Sequence, residues 1–456
     1  MRLIWSFILF MISICIKGNT IVKDNVYSVD TKMKLYEEDI PNLEIKESYV
    51  CLHHEIIEIV SNDTIVATVE LGAPIMVAQA EKEEKWGYFQ FPVISRNEDG
   101  FLTVKWQMNA DSYSAYGKSI NGLMISKDEG QTWLPTSKRY ISKMRRRLET
   151  SDGYLLQERT PAAKDIHSYA VFPRPVNSNP IKGYDFYFEK DLPNDLRGVY
   201  LTTKSSDTET LTNFHAQIYD PNLLRCAQND NLAVVWWGDI RRMKNGVLVA
   251  GVYGGFCQGE DGKVLNSPIT FYRSQDGGKN WFFLSRILYR DERGNETIPF
   301  DGRDGFCEPT FEILNDGTFL CVMRSGSTKP MYRTFSKDNG KHWTIPEAFT
   351  PNGVMPQLVI LGNGSLVLAS GRPGMQLRFC LNGDGRKWTK PIEMLPFTDE
   401  NGKYHEWWTC GYPSILLLDE NSFYIVYSDF RTKNEIGEYR KGIFFRKVTL
   451  KKEIDR

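Results

Sequence analysis

The chain has 456 residues, of which 41% are hydrophobic, 13% aromatic and 25% charged, a globular composition that excludes long disorder. Its 56 Lys and Arg against 57 Asp and Glu give a formal net charge of -1, so no basic excess exists to hold nucleic acid or an anionic membrane surface. No internal run of about 18 apolar residues occurs, which excludes a multi-spanning membrane protein.

The chain opens on Arg2, a short positive start. Leu3 to Ile16 follows as an apolar stretch diluted only by Ser6 and Ser13, and Lys17, Gly18 and Asn19 end it. This pattern predicts a secretory signal peptide over residues 1–18, too short for a membrane span once removed. A secreted, periplasmic or cell-surface protein is expected; an uncleaved signal anchor is the competing reading. Of the 8 cysteines, Cys15 leaves with this segment, and the rest are odd in number with no CxxC spacing. Neither a metal knuckle nor a disulfide-dense scaffold is indicated. Several of these cysteines lie in strand-like runs, where a buried free thiol is the plainer reading.

Residues 19–80 read as a lead segment or first strands. From residue 81 to 456 strand signals dominate. Short β-branched and aromatic runs such as Phe101–Trp106, Val247–Tyr253, Phe319–Met323 and Phe423–Tyr427 alternate with Asn-Gly, Asp-Gly and Pro turns. No long segment of helical period stands out, so the fold class is all-β.

A repeat runs through these strands. Its first half is a turn and a strand, at Asp99-Gly100, Asn245-Gly246, Asp316-Gly317 and Asn363-Gly364. Its second half is a box of the form Ser-x-Asp-x-Gly-x-x-Trp, at Ser126 to Trp133, Ser274 to Trp281 and Ser336 to Trp343, with a degenerate copy keeping Gly385 and Trp388. From turn Gly to box Trp the separations are 33, 35, 26 and 24 residues, room for about four short strands per unit, as in a propeller blade. A further unit starts at Asp419 without a box, and residues 135–231 leave room for another blade or a long insertion. In each box the Asp accepts backbone N–H bonds, the Gly permits positive φ and the Trp packs across the turn, all structural duties.

From about Gly87 to the C-terminus these boxes resemble the Asp-box, or BNR repeat, of the sialidase (neuraminidase) superfamily. The resemblance implies a six-bladed β-propeller spanning residues 81–456 and an exo-acting glycoside hydrolase that works with retention and without a cofactor. In that superfamily Tyr replaces the usual carboxylate nucleophile, a neighbouring carboxylate activates the phenol, and arginines grip the sugar carboxylate through charge-assisted bonds.

Matched position by position, Gly305-Phe-Cys-Glu308-Pro resembles the segment that carries the activating Glu. Val322-Met-Arg324-Ser and Ser370-Gly-Arg372-Pro resemble the second and third arginines of the triad. Thr409-Cys-Gly-Tyr412-Pro resembles the nucleophile strand, and Asp111 stands where the acid/base Asp is found. The first arginine is missing: Tyr88-Phe89-Gln90-Phe91-Pro92 sets Gln90 in its place. A glutamine amide can donate to a carboxylate, but its bond contributes about 1 kcal/mol against roughly 1.5–3 for a charge-assisted one.

The resemblance thus implies that Tyr412 attacks the anomeric carbon, Glu308 takes its proton and Asp111 protonates the leaving oxygen, with Arg324, Arg372 and Gln90 holding the substrate's acid group. Each residue has a structural reading beside this one. Glu308 and Arg324 fit an ion pair between blades, Tyr412 a strand aromatic, Arg372 a loop arginine and Asp111 a turn. Trp86, Trp407 and Trp408 fit either a sugar-stacking platform or core packing. No HExxH, nucleophile elbow or phosphate loop is present.

The expected partner is the terminal, acidic, sialic-acid-like sugar of a glycan or polysaccharide. The loss of one arginine keeps other readings open: another 2-keto-3-deoxy sugar acid or a uronic acid as substrate, a lyase, or a carbohydrate-binding propeller without turnover.

Overall fold

The structure, a computed structural model, describes residues 31–34, 49–50, 52–97, 99–118, 120–136, 147–149, 155–179, 183–204, 211–289, 305–326, 329–372, 374–396 and 406–453. The expected signal peptide lies outside them. Among the described residues the regular structure is strand apart from single 3-10 turns, in six sheets. None of these helices is long and apolar enough to cross a membrane.

The repeat unit is an antiparallel meander. Tyr88–Arg96, Leu102–Met108, Asn121–Ser126 and Leu134–Pro135 pair in sequence order. The same order recurs from Cys307–Ile313 to Glu347–Thr350 and from Val354–Ile360 to Ile392–Leu395. Trp237–Arg242, Leu248–Tyr253, Ile269–Ser274 and Asn280–Ile287 make another. The C-terminal sheet joins both ends of the chain. Thr64–Leu71 and Ile75–Gln79 pair with Tyr439–Lys452 in the last sheet, while Tyr49–Val50 pairs in parallel with Ile392–Leu395 of the sheet before it.

Residues 135–231 supply two sets of strands. Arg147–Glu149, Leu155–Glu158, Val199–Lys204 and Thr212–Tyr219 form a meander that joins the next one by parallel pairing of Thr212–Tyr219 with Asn280–Ile287. The intervening chain folds into a separate five-stranded sheet that includes Tyr184–Phe188 and Leu224–Gln228.

The boxes tie each sheet to its neighbour. Within a box, the Ser126 hydroxyl donates to Asp128 Oδ1 at 2.8 Å and accepts from the Gly130 N–H at 2.8 Å, while the Thr132 N–H reaches Asp128 Oδ1 at 2.9 Å. Asp276 and Asp338 receive the equivalent N–H bonds from Asn280 and His342 at 3.0 and 2.9 Å. The Trp does more than close the turn. Trp343 stacks on Phe271 of the preceding sheet at 4.4 Å, and Trp388 meets Phe349 of its preceding sheet at 5.4 Å. Trp133, in the first complete unit, meets Phe445 of the last sheet at 5.5 Å. First and last sheets also share a hydrophobic cluster containing Ile94, Leu102 and Trp106 with Val426, Ile443 and Phe445. The six cysteines among the described residues are all free thiols.

Candidate active site

Three sheets open on the same local device. At Phe91-Pro92, Glu308-Pro309 and Met355-Pro356 the residue before proline has φ of 53, 48 and 45°, and the ladder register skips over the pair. Proline has no N–H to lend to a ladder, so it belongs at a bulge. The left-handed residue beside it breaks the in-and-out alternation and re-aims its side chain. For a non-glycine residue that backbone costs of order 1–3 kcal/mol and persists where the surroundings impose it. Phe91 and Glu308, re-aimed this way, both line a cavity of about 960 Å³. Tyr412-Pro413, just ahead of Ser414–Leu417, repeats the dipeptide at the start of the last sheet, and Tyr412 lines the same cavity.

Tyr412 and Glu308 meet there. The Tyr412 hydroxyl donates to Glu308 Oε1. Arg324 Nη1 donates to that same oxygen at 2.9 Å, and the Met355 N–H donates to Oε2 at 2.8 Å. Burial pushes the Glu308 carboxyl up, but the Arg324 charge and the Tyr412, Arg324 and Met355 hydrogen bonds outweigh it, and the group sits below the usual carboxylate range. Burial, then the Glu308 charge, pushes the Tyr412 phenol well above its ordinary value. The pair is therefore a phenol bonded to a carboxylate, with the proton on the phenol until an electrophile arrives. The Phe91 ring meets Tyr412 edge-on at 4.7 Å and fixes its plane.

Asp111 lines the same cavity, three residues after Leu102–Met108. Trp86 Nε1 donates to its Oδ2 at 3.0 Å. Removal from water raises the Asp111 carboxyl pKa, the Trp86 bond and the Arg372 charge oppose the rise, and the Glu308 charge adds to it. A carboxyl held up in this way retains a proton into a less acidic range and can deliver it to a leaving oxygen. The structure thus brings together Tyr412, Glu308, Asp111 and Arg324 on one cavity.

Two expected residues do not reach it. Gln90 is 0% exposed and is absent from the cavity wall; the bulge at Phe91 presents Phe91 there instead. Neither polar atom of the Gln90 amide has a hydrogen-bond partner among the described residues. The backbone on both sides of Gln90 is left-handed, with φ of 55° at Phe89 and 53° at Phe91, and the ladder register skips on each side, so Gln90 is buried while Phe91 lines the cavity. Arg372 is also off the wall. Its Nη2 donates to the Cys410 carbonyl at 2.9 Å, and its guanidinium packs on the rings of Trp86 at 5.2 Å and Trp407 at 5.0 Å. Trp86 and Trp407 roof an arginine, and Trp408 stacks on Arg431 at 3.9 Å, so the three tryptophans are engaged with side chains.

Tyr412 and Arg372 are neighbours because two glycines let their strands touch. A Cβ on Gly371 would lie 2.4 Å from Gly411 Cα, and one on Gly411 would lie 2.7 Å from the Arg372 nitrogen. The sequence reading missed the Met355 N–H, the Phe91 ring and Lys105, which lines the cavity beside Asp111's strand end. The recurring residue-before-proline at sheet starts is the signal that finds the first two. Strand alternation through Thr103, Lys105 and Gln107 finds the third. Among the described residues no group of three or more His, Cys, Asp or Glu is arranged to hold a metal ion.

No protein-family model matches the chain, and no curated protein matches it. Solved structures match in fold. A protein of unknown function from Dyadobacter fermentans superposes with a TM-score of 0.55 at 16% identity, covering 84% of this chain and 99% of that one. The Hadza microbial sialidase Hz136 gives 0.48 at 14% identity, covering 82% and 68%, and an α-L-arabinanase of Penicillium chrysogenum complexed with arabinobiose gives 0.44 at 14%, covering 82% and 98%. Similarity at such identity concerns the fold alone.

Proposed function

We propose that this chain is a six-bladed β-propeller glycoside hydrolase that releases a terminal acidic, sialic-acid-like sugar with retention, through a Tyr412 nucleophile. The observation that carries the reading is that the bonded Tyr412–Glu308–Arg324 cluster and the Asp111 carboxyl line one cavity. In the first step Glu308 accepts the phenolic proton as Tyr412 Oη bonds to the anomeric carbon. Asp111 gives its proton to the departing oxygen. In the second step Asp111 takes a proton from water, the water oxygen displaces Tyr412, and Glu308 returns the proton to the phenol. Sharing the charge of the pair with Arg324 keeps the phenol reactive.

Six antiparallel meanders, two of them joined in the eight-stranded sheet, and box tryptophans that bridge three of the junctions between neighbours support the propeller. Export through residues 1–18 is part of the same proposal.

The test is hydrolysis of aryl α-sialosides and aryl glucuronides, with Tyr412→Phe as control. Release that vanishes in the variant supports the reading. Release that survives it sinks the Tyr nucleophile. A product absorbing near the ultraviolet edge identifies an eliminating lyase instead. A second reading, a carbohydrate-binding propeller without turnover, is favoured by the burial of Gln90 and by the tryptophan cover over Arg372. Binding of the sugar acids without release of any product identifies that case.

A further inference from the structure

The three residues expected to grip a sugar acid contribute only one group to the cavity. Gln90 is buried off the wall, Arg372 is held under Trp86 and Trp407, and Arg324 is bonded to Glu308. Two other cations line the cavity, Lys105 and Arg159. Arg159 belongs to the wall farther along the chain, where its N–H bonds the Tyr200 carbonyl at 2.8 Å and its guanidinium covers the Tyr200 ring at 5.4 Å.

Lys105 stands at the reacting end. Its cross-strand partner is Val93, two residues beyond the Phe91 ring that touches Tyr412. Across the bulge these two residues span at most about 6.6 Å, their length in regular strand, within the reach of a lysine side chain. Lys105 shares a strand face with Gln107, and the strand ends at Met108, three residues before Asp111. Val93, Lys105, Gln107 and Asp111 all line the cavity.

We propose that Lys105 is the cation that receives the anionic group of the substrate, doing from the second strand of this sheet what Gln90 on the first does not. The proposal rests on the acidic-sugar reading of the cavity and names the contact that selects for the acid. An ammonium carries its charge as a compact point, so it accepts a carboxylate at several angles where a guanidinium fork requires one. Burial lowers the Lys105 pKa to about 8, the mark of a cation taken out of water, and an anion bound beside it would offset that loss.

The experiment is binding, measured calorimetrically on Tyr412→Phe protein so that turnover plays no part. The probes are free N-acetylneuraminate, free glucuronate and neutral glucose. At least one acid is expected to bind, and Lys105→Met is expected to weaken it at least tenfold without changing the glucose signal. Lys105→Arg is expected to restore most of the affinity, and circular dichroism melts check that each variant is folded. Unchanged acid binding in Lys105→Met overturns the proposal. So does an equal loss for glucose, which marks a structural role, and so does failure of both acids to bind. Lys105-dependent binding of an acid whose aryl glycoside the unsubstituted protein does not hydrolyse leaves this proposal standing and removes the hydrolase reading.

Discussion

Tyr412 and Arg324 donate to the same oxygen of Glu308, Oε1, while Oε2 is left to the Met355 N–H. The shared oxygen couples the phenol to a charge pair. Replacing Tyr412 with Phe removes one donor and leaves the carboxylate two. The fold is therefore expected to survive Tyr412→Phe, with a melting temperature close to that of the parent. Turnover of an aryl sugar acid is expected to fall by at least about 10³-fold, the scale of losing a nucleophile. Loss of folding in this variant would show that the phenol is chiefly a structural bond.

Arg324 tests the other side of the same oxygen. Glu308 is 4% exposed, so its carboxylate depends on a cation for its charge. Arg324→Met leaves that charge buried and uncompensated, at an expected cost of about 3–5 kcal/mol at neutral pH. In the parent the folded pKa of Glu308 lies below its ordinary 4.5, so its stabilisation is present above that pH and is lost as pH falls through the lowered value. In the variant the remaining burial raises the folded pKa. The deficit is then full above that raised folded value, shrinks as pH falls from it through the unfolded value of about 4.5, and shrinks further as the parent's own stabilisation is lost through its lowered value. Denaturant melts at pH 7 and pH 4 measure this. An equal deficit at both values would rule out the electrostatic origin.

Asp111 sets the alkaline side. Its carboxyl pKa is raised, with burial as the largest cause, and as a proton donor it works only while protonated. Activity is expected to fall as pH rises through the Asp111 value and as it falls through the lowered Glu308 value, giving a bell centred in the acid range. Asp111→Asn is expected to lower kcat by about 10²–10⁴ on a sugar leaving group and far less on a nitrophenol, which departs without a proton. It is also expected to abolish the alkaline limb. A full loss on both leaving groups would assign Asp111 to binding.

The boxes and turns were legible because they are local. Ser, Asp, Gly and Trp at fixed spacing make bonds within eight residues, so the sequence carries the whole motif. What the box tryptophans touch was not legible, since Phe271, Phe349 and Phe445 come from neighbouring sheets. Strand order within the meanders was readable from the turns. The assignment of Thr64–Leu71 to the last sheet was not, because it depends on a partner nearly 380 residues away. At the site, Glu308 and Tyr412 each precede a proline, which marks a bulge at Glu308, and the motif comparison located both. The burial of Gln90 was not legible: left-handed residues on both sides of it, Phe89 and Phe91, break the in-and-out alternation, and composition and spacing do not encode that. The cover over Arg372 by Trp86 and Trp407 joins residues far apart in sequence and is visible only in three dimensions.

The Gly371–Gly411 contact is the closest approach holding the site together, and it separates two kinds of glycine. Gly371 lacks a positive φ, but a Cβ there would lie 2.4 Å from Gly411 Cα and 2.5 Å from the Gly411 oxygen. Neither is a flexible side-chain end, so the strands must part. Gly246 is the opposite case, with φ of +85° and nothing within 4 Å of its Cβ position. Gly246→Ala is expected to cost about 1 kcal/mol from its backbone alone and to leave turnover unchanged. Gly371→Ala is expected to cost about 3 kcal/mol or more, at the upper end for overpacking. It is also expected to lower kcat, because the same displacement moves Tyr412 against Glu308, and misplacement of about 1 Å costs on the order of 10²-fold. Melts and turnover of the two variants side by side measure both effects. Equal stability losses would remove the steric argument, and a Gly371→Ala protein with full kcat would show that Tyr412 is positioned by something other than this contact.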